Sequence, residues 1–185
     1  MKTFKSYVTI HGKSSNKIIL FDVDDTLINT TAGIRIKKNN KYIKRLTNKE
    51  YNDYVLKPGE ELDFAEFEDS ELLSKESFTK YWKTLKKEYH KGTHIGIITA
   101  RGSIEMIYNF LLDNGIDIKK ELIFATDDPK LGLSGSVQQR KAEVISILYN
   151  YGYKNFIFFD DNDGNLKAVK SIENILPIKV VTIKA

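Results

Sequence analysis

Five short stretches of this chain are apolar almost throughout: Ile18 to Asp22, Ile95 to Thr99, Leu122 to Ala125, Asn155 to Phe159 and Val180 to Ile183. A strand with one face in water alternates apolar and polar side chains. A run without that alternation has both faces covered, as in a parallel sheet packed between helices. Each stretch has the length of one buried strand. Helical patterns fall between them. From Lys75 to Lys91, Phe78, Trp82, Leu85 and Tyr89 share one face. A second helix is expected from Ser103, a plausible N-cap, to Gly115, a third from Val137 to Tyr151, and a short fourth after Gly164. The alternation predicts an α/β, Rossmann-like fold with a five-stranded parallel sheet flanked by helices.

One segment breaks the rhythm. Residues 29–74 separate the first strand from the first long helix, far more than an ordinary strand-to-helix connection. Ile34 to Lys38 and Lys41 to Arg45 flank Asn39-Asn40, a hairpin signal. Thr47 and Glu50 have the spacing of a capping box that opens a short helix. Glu60 to Glu71 is acidic, with Phe64 and Phe67 among the charges. The expected organisation is a core of residues 1–28 and 75–185, with 29–74 as a small inserted cap beside the end of the first strand.

Composition excludes several chemistries. Cysteine is absent, so there is no disulfide framework, thiolate metal site or cysteine nucleophile. Met1 to Lys17 lacks the apolar stretch of a leader, and no run is long enough to span a membrane, so a cytoplasmic protein is expected. The net charge of +4 comes almost entirely from lysine and weakly favours an anionic substrate. Abundant lysine, isoleucine, asparagine and tyrosine suggest an AT-rich coding sequence.

The chemistry concentrates where the first strand ends. Ile18-Ile19-Leu20-Phe21 runs straight into Asp22-Val23-Asp24-Asp25-Thr26. Three carboxylates within four residues repel one another unless a cation or a shared proton relieves them. Open α/β sheets bind ligands beyond the carboxyl ends of their strands. Asp22 and Asp24 share strand parity and can face one site. A second acidic strand end follows at Phe159-Asp160-Asp161-Asn162-Asp163-Gly164-Asn165. It is no EF-hand loop: its glycine comes too early, and the twelfth position counted from Asp161 is Ile172 where glutamate is required.

These stretches resemble, in order, the motifs of the haloacid dehalogenase (HAD) superfamily. Asp22-Val23-Asp24-Asp25-Thr26 resembles the first, Asp-x-Asp-x-Thr. His94 to Arg101 resembles the second, a strand ending in the hydroxyl of Thr99. Gln138-Gln139-Arg140-Lys141 resembles the third, with Lys141 as its cation and Arg140 as the rival. Asp160 to Asn165 resembles the fourth. The resemblance implies a Mg²⁺-dependent phosphatase. Asp22 is then the nucleophile and a metal ligand, and Asp24 the general acid and base, with its backbone carbonyl on the metal. Asp161 completes the metal set. Thr99, Ala100 and Lys141 hold the phosphoryl group. Thr26, Asp160 and Asn165 support from behind, and Asp163 is a weaker candidate ligand than Asp161. Aspartate at position 24 favours phosphatase or phosphotransferase chemistry over dehalogenation.

Arg45 to Asn52, Lys57 to Glu60 and Asp63 to Phe67 are also similar to the insert of HAD proteins of large tailed bacteriophages. That implies an origin in an infected bacterial cell and names no substrate. Three readings follow. The first is a phosphatase for a nucleotide or other small phosphate ester. The second is a polynucleotide-end phosphatase using the basic hairpin 34–45, with Arg35, Lys37, Lys38, Lys41, Lys44 and Arg45. The third is a non-catalytic interaction protein that keeps the fold.

Overall fold

The computed structural model describes residues 16–185. The expectation for Met1 to Lys17 falls outside the described residues, apart from Asn16 and Lys17. Strand β1 (Lys17–Phe21) is followed by the two-residue β2 (Ile28–Asn29), the hairpin β3 (Ile34–Lys38) and β4 (Lys41–Leu46), and helix α1 (Asn48–Asn52). Next come β5 (Glu60–Asp63), α2 (Ser70–Lys75), the two-residue β6 (Ser77–Phe78), α3 (Lys80–His90) and β7 (Ile95–Thr99). The chain ends with α4 (Ile104–Asp113), β8 (Ile123–Ala125), α5 (Val137–Asn150), β9 (Asn155–Asp160), α6 (Asp163–Ser171) and β10 (Lys179–Lys184).

The predicted five-stranded sheet is present and parallel throughout, in the order β10-β9-β1-β7-β8. Strand β1 sits at its centre with both faces covered. Ile19 and Phe21 pack with Trp82 and Leu85 of α3 and with Ile107 and Phe110 of α4. Ile18 and Leu20 pack with Val144, Ile145 and Leu148 of α5 and with Val169 of α6. Alternate side chains of one strand therefore feed two cores, and neither face tolerates a polar residue. Each such side chain contributes roughly 1.5–3 kcal/mol on burial. Gly96 is required by contact: a Cβ there would lie 2.9 Å from both the Leu122 carbonyl and Leu20.

From β1 the chain winds outward through β7 to β8, then crosses back to β9 and on to β10. Its direction of winding reverses between β1 and β9. At such a switch point the flanking connections leave in opposite directions and open a crevice at the carboxyl ends. Asp22 and Asp160 stand at this crevice, because β1 and β9 are in register at Phe21 and Phe159.

The first long helix differs from expectation. Lys75 ends α2, and α3 begins only after Thr79, whose side chain caps it. The residues between are extended because Ser77–Phe78 pairs antiparallel with Ile28–Asn29. That ladder joins the root of the 29–74 segment to its return. Within the segment the hairpin forms as expected. Asn39 and Asn40 have φ of 50° and 60°, the left-handed pair that a two-residue hairpin turn requires. Both bonds of the Thr47–Glu50 capping box are made. A third strand was not foreseen: acidic β5 pairs with β3, setting Arg35 opposite Asp63, Lys37 opposite Glu61 and Lys38 opposite Glu60. The basic and acidic halves of the segment thus neutralise each other across one ladder. Among the described residues, no helix is long and apolar enough to cross a membrane.

Candidate functional site

After Phe21 the chain turns tightly. The Val23 carbonyl accepts bonds from the amides of Thr26, Leu27 and Ile28 at 3.3, 2.9 and 3.2 Å. Asp25 adopts a φ of 54°, a left-handed conformation that aspartate tolerates. The Asp22 amide is held by the Phe159 carbonyl at 2.9 Å. This sets the Asp22 carboxyl, only 5% exposed, against the end of β9.

Lys141 reaches the same point from the first turns of α5. Its stem runs through the core and its ammonium is almost fully buried. It donates to Asp22 Oδ1 at 2.8 Å and to Asp160 Oδ2 at 2.7 Å. Arg140, the rival cation, turns away to Asp127 and to the Gly135 carbonyl. Asp160 is fully buried and also accepts from Asn165 Nδ2 at 3.0 and 3.1 Å and from the Asn162 amide at 2.8 Å.

Oxygens of Asp22, Asp160 and Asp161 lie within 4.8 Å of one another. This set differs from the expected one. Asp160, read as a supporting residue, belongs to the carboxylate cluster; the Asp24 side chain, expected to serve proton transfer and not the metal, lies against Arg101. Asp163 is exposed and pairs with Lys184 at 3.1 Å, away from the cluster.

Three buried or half-buried carboxylates share the single ammonium of Lys141. Burial pushes the Asp22 carboxyl well above the ordinary aspartate range, and Asp160, Asp24 and Asp161 add repulsion that Lys141 only partly offsets. Burial and the neighbouring Asp160 raise Asp161 to about 6. Burial alone would lower the Lys141 pKa, but Asp22 and Asp160 overcome it and hold the ammonium charged. Such a surplus of hard oxygen and negative charge fits a cation-binding centre. Asn165 Oδ1, buried and without a hydrogen-bond partner among the described residues, is a further oxygen acceptor on a side chain already bonded to Asp160. The three aspartates could hold a metal ion.

The other expected residues stand around this cluster. Thr99 is fully buried at the end of β7, and its hydroxyl accepts from the Arg101 amide at 3.2 Å. Ala100 is half-buried and leads into the turn that follows. Thr26 is fully buried, and its hydroxyl makes no hydrogen bond among the described residues.

Sequence reasoning missed Arg101. Its guanidinium, 2% exposed, grips Asp24, with Nη2 to Oδ1 at 2.7 Å and Nε to Oδ2 at 3.0 Å. The Thr30 hydroxyl also donates to Asp24 Oδ1, at 2.5 Å. Arg101 Nη1 donates to the Phe67 carbonyl at 2.8 Å, so one side chain joins Asp24 to the 29–74 segment. Asn48 Nδ2 donates to Asp25 at 2.9 Å, a second tie between that segment and the acidic turn. These contacts set the segment against residues just beyond the carboxyl ends of β1 and β7. The one sequence signal for Arg101 was an arginine two residues past a strand end, which says nothing about its partner.

The fold and site define an α/β protein whose switch-point crevice holds a buried carboxylate cluster with a lysine bound into it. Comparison with family models, with curated proteins and with solved structures gives no match.

Proposed function

We propose that this chain is a Mg²⁺-dependent phosphohydrolase of the HAD type, acting on a small phosphate ester through an aspartyl-phosphate. One observation carries the reading: Asp22 stands at the switch-point crevice with Lys141 on one oxygen and Asp160 and Asp161 beside it. A phosphate ester is inert because its own charge repels nucleophiles, so a site must neutralise the phosphoryl group and aim an attacking oxygen in line. Asp22, Asp160 and Asp161 would hold the metal ion, with the Asp24 backbone carbonyl as a further ligand. When bound, Mg²⁺ supplies charge neutralisation for the phosphoryl oxygens.

Lys141 holds Oδ1 of Asp22, which leaves Oδ2 free of the lysine for attack on phosphorus. The new bond is Asp22 Oδ2 to phosphorus; the bond that breaks joins phosphorus to the ester oxygen. Asp24 gives its proton to that leaving oxygen. It then takes a proton from the water that attacks the aspartyl-phosphate, which frees inorganic phosphate and restores Asp22. The Thr99 hydroxyl, the Ala100 amide and Lys141 hold phosphoryl oxygens. The 29–74 segment acts as the cap and selects the leaving group.

A small ester ranks ahead of a polynucleotide end because the basic hairpin is largely paired within the segment. Arg35 and Arg45 both bond Glu66, Lys37 pairs with Asp63 at 2.6 Å, and Lys44 lies 4.0 Å over the Tyr54 ring. Charges already paired contribute little to counterion release.

The test is a screen of phosphate esters, mononucleotides and 3′- and 5′-phosphorylated oligonucleotides, with Mg²⁺ and with chelator. Turnover that needs Mg²⁺ and disappears in Asp22→Asn is expected. Turnover surviving in a verified Asp22→Asn sample would sink the mechanism, and no turnover of any ester would favour the non-catalytic reading.

A further inference from the structure

Two consecutive residues after β7 clip two consecutive residues of the 29–74 segment. Arg101 Nη1 donates to the Phe67 carbonyl at 2.8 Å, and the Gly102 amide donates to Glu68 Oε1 at 3.1 Å. The Arg101 guanidinium also lies 5.3 Å from the centre of the Phe67 ring. Its remaining donors are on Asp24. One buried side chain thus bonds both a carboxylate of the acidic turn and the backbone of the segment.

The geometry points to Arg101 as a positioning residue that makes the orientation of Asp24 depend on docking of the 29–74 segment. The inference rests on the phosphohydrolase reading for the role of Asp24, and on contacts alone for the coupling. Oδ1 of Asp24 accepts from Arg101 Nη2 at 2.7 Å, from Thr30 at 2.5 Å and, at 3.3 Å, from Nε; among the described residues Oδ2 accepts from Nε alone, at 3.0 Å. A carboxylate has about four acceptor sites, so Oδ2 is the less committed oxygen and the one able to exchange a proton. If the guanidinium loses the Phe67 carbonyl, a buried donor is stranded. It must then rotate, and Asp24 rotates with it.

The Phe67 carbonyl is placed in turn by its neighbour. Glu66 accepts from Arg45, from Arg35 Nε at 3.0 Å and from the Gly33 amide at 2.9 Å, so the backbone at residues 66–67 is tied to the start of the hairpin. Glu66 makes no bond to Asp22, Asp24 or Arg101. It nevertheless sits in the same chain of contacts.

The test is a double-mutant cycle with Arg101→Gln and Glu66→Gln, with Arg101→Lys as the conservative variant. It is read by Mg²⁺-dependent hydrolysis of p-nitrophenyl phosphate and by amide hydrogen exchange of residues 64–76. Both single variants should lower kcat about tenfold or more while KM changes little. The double variant should lose no more than the worse single one, because the two residues act through one contact. Arg101→Lys should regain part of the rate, since a single ammonium reaches Asp24 or Phe67 but not both in the forked geometry. Exchange of residues 64–76 should quicken in both single variants. Additive losses, or full activity in Arg101→Gln, would overturn the proposal. Should wild-type protein hydrolyse no ester, the phosphohydrolase reading fails and exchange decides the coupling: unchanged protection in Arg101→Gln disproves the clip, and faster exchange upholds it.

Discussion

Lys141 is the residue on which the electrostatics of the crevice turn. Its ammonium sits between Asp22 and Asp160, with Asp161 in the same cluster. Removing one partner of a buried pair costs about 3–5 kcal/mol, because the charges left behind lose both solvent and counterion. Lys141→Met should therefore lose stability of that order in chelator, by denaturant unfolding, and recover part of it with millimolar Mg²⁺. No recovery would argue against a cation site formed by these aspartates. Asp22→Asn acts in the opposite sense. It removes one of three crowded carboxylates and leaves Lys141 its bond to Asp160, so the metal-free protein should melt no lower than wild type while losing turnover. Asp161→Ala should raise the Mg²⁺ concentration needed for half-maximal activity more than Asp163→Ala does, because Asp163 faces Lys184.

At the scale of elements, the 29–74 segment is held by charge as much as by apolar burial. Arg45 foremost, with the Gly33 amide and Arg35, holds the Glu66 carboxyl down at about 2, below its ordinary 4.5. A lowered pKa means that the folded state binds the proton less tightly than the unfolded chain does. The stabilisation is therefore complete above 4.5 and is lost as pH falls toward 2. The stability difference between wild type and Glu66→Gln should be constant above that range and shrink through it, measured by urea unfolding at each pH. A difference that stays flat down to pH 2 would remove Glu66 as the charged centre of the segment. Strand β5 owes its place to the same complementarity, since its acidic residues lie opposite Arg35, Lys37 and Lys38.

At the scale of the whole molecule, the parallel sheet and its helices carry their own cores. The 29–74 segment joins the core chiefly through Leu73, which belongs to the same buried cluster as Ile107 and Phe110. The antiparallel pairing of β2 with β6 already brings the two ends of the segment together. Joining Asn29 to Ser77 through Asn-Gly should leave a folded protein that is less stable by about 2–3 kcal/mol, roughly the burial of one leucine. Circular dichroism and thermal unfolding would check this. A variant with no cooperative transition would show that the segment belongs to the core.

Much of the framework was legible because it depends on local rules. Apolar runs with no alternation must be covered on both faces, so the five strands and their parallel arrangement followed from the chain itself. Asn39-Asn40 specified its turn, and Thr47 with Glu50 specified its cap, each by bonds within a few residues. The acidic turn after β1 was visible for the same reason, since Asp22, Asp24 and Asp25 are neighbours in sequence. What tertiary structure alone decided were pairings between residues far apart along the chain. Lys141 rather than Arg140 enters the crevice because the two point to different sides of one helix turn, and the packing of α5 on the sheet buries only one of them. Asp160 joins the cluster because β9 lies beside β1 in register, which no spacing encodes. Strand β5, the late start of α3 and the grip of Arg101 on Asp24 and Phe67 have the same origin. A hydrogen bond or ion pair between distant residues leaves no period in the sequence, and its free energy is gained only once the fold has brought the partners together.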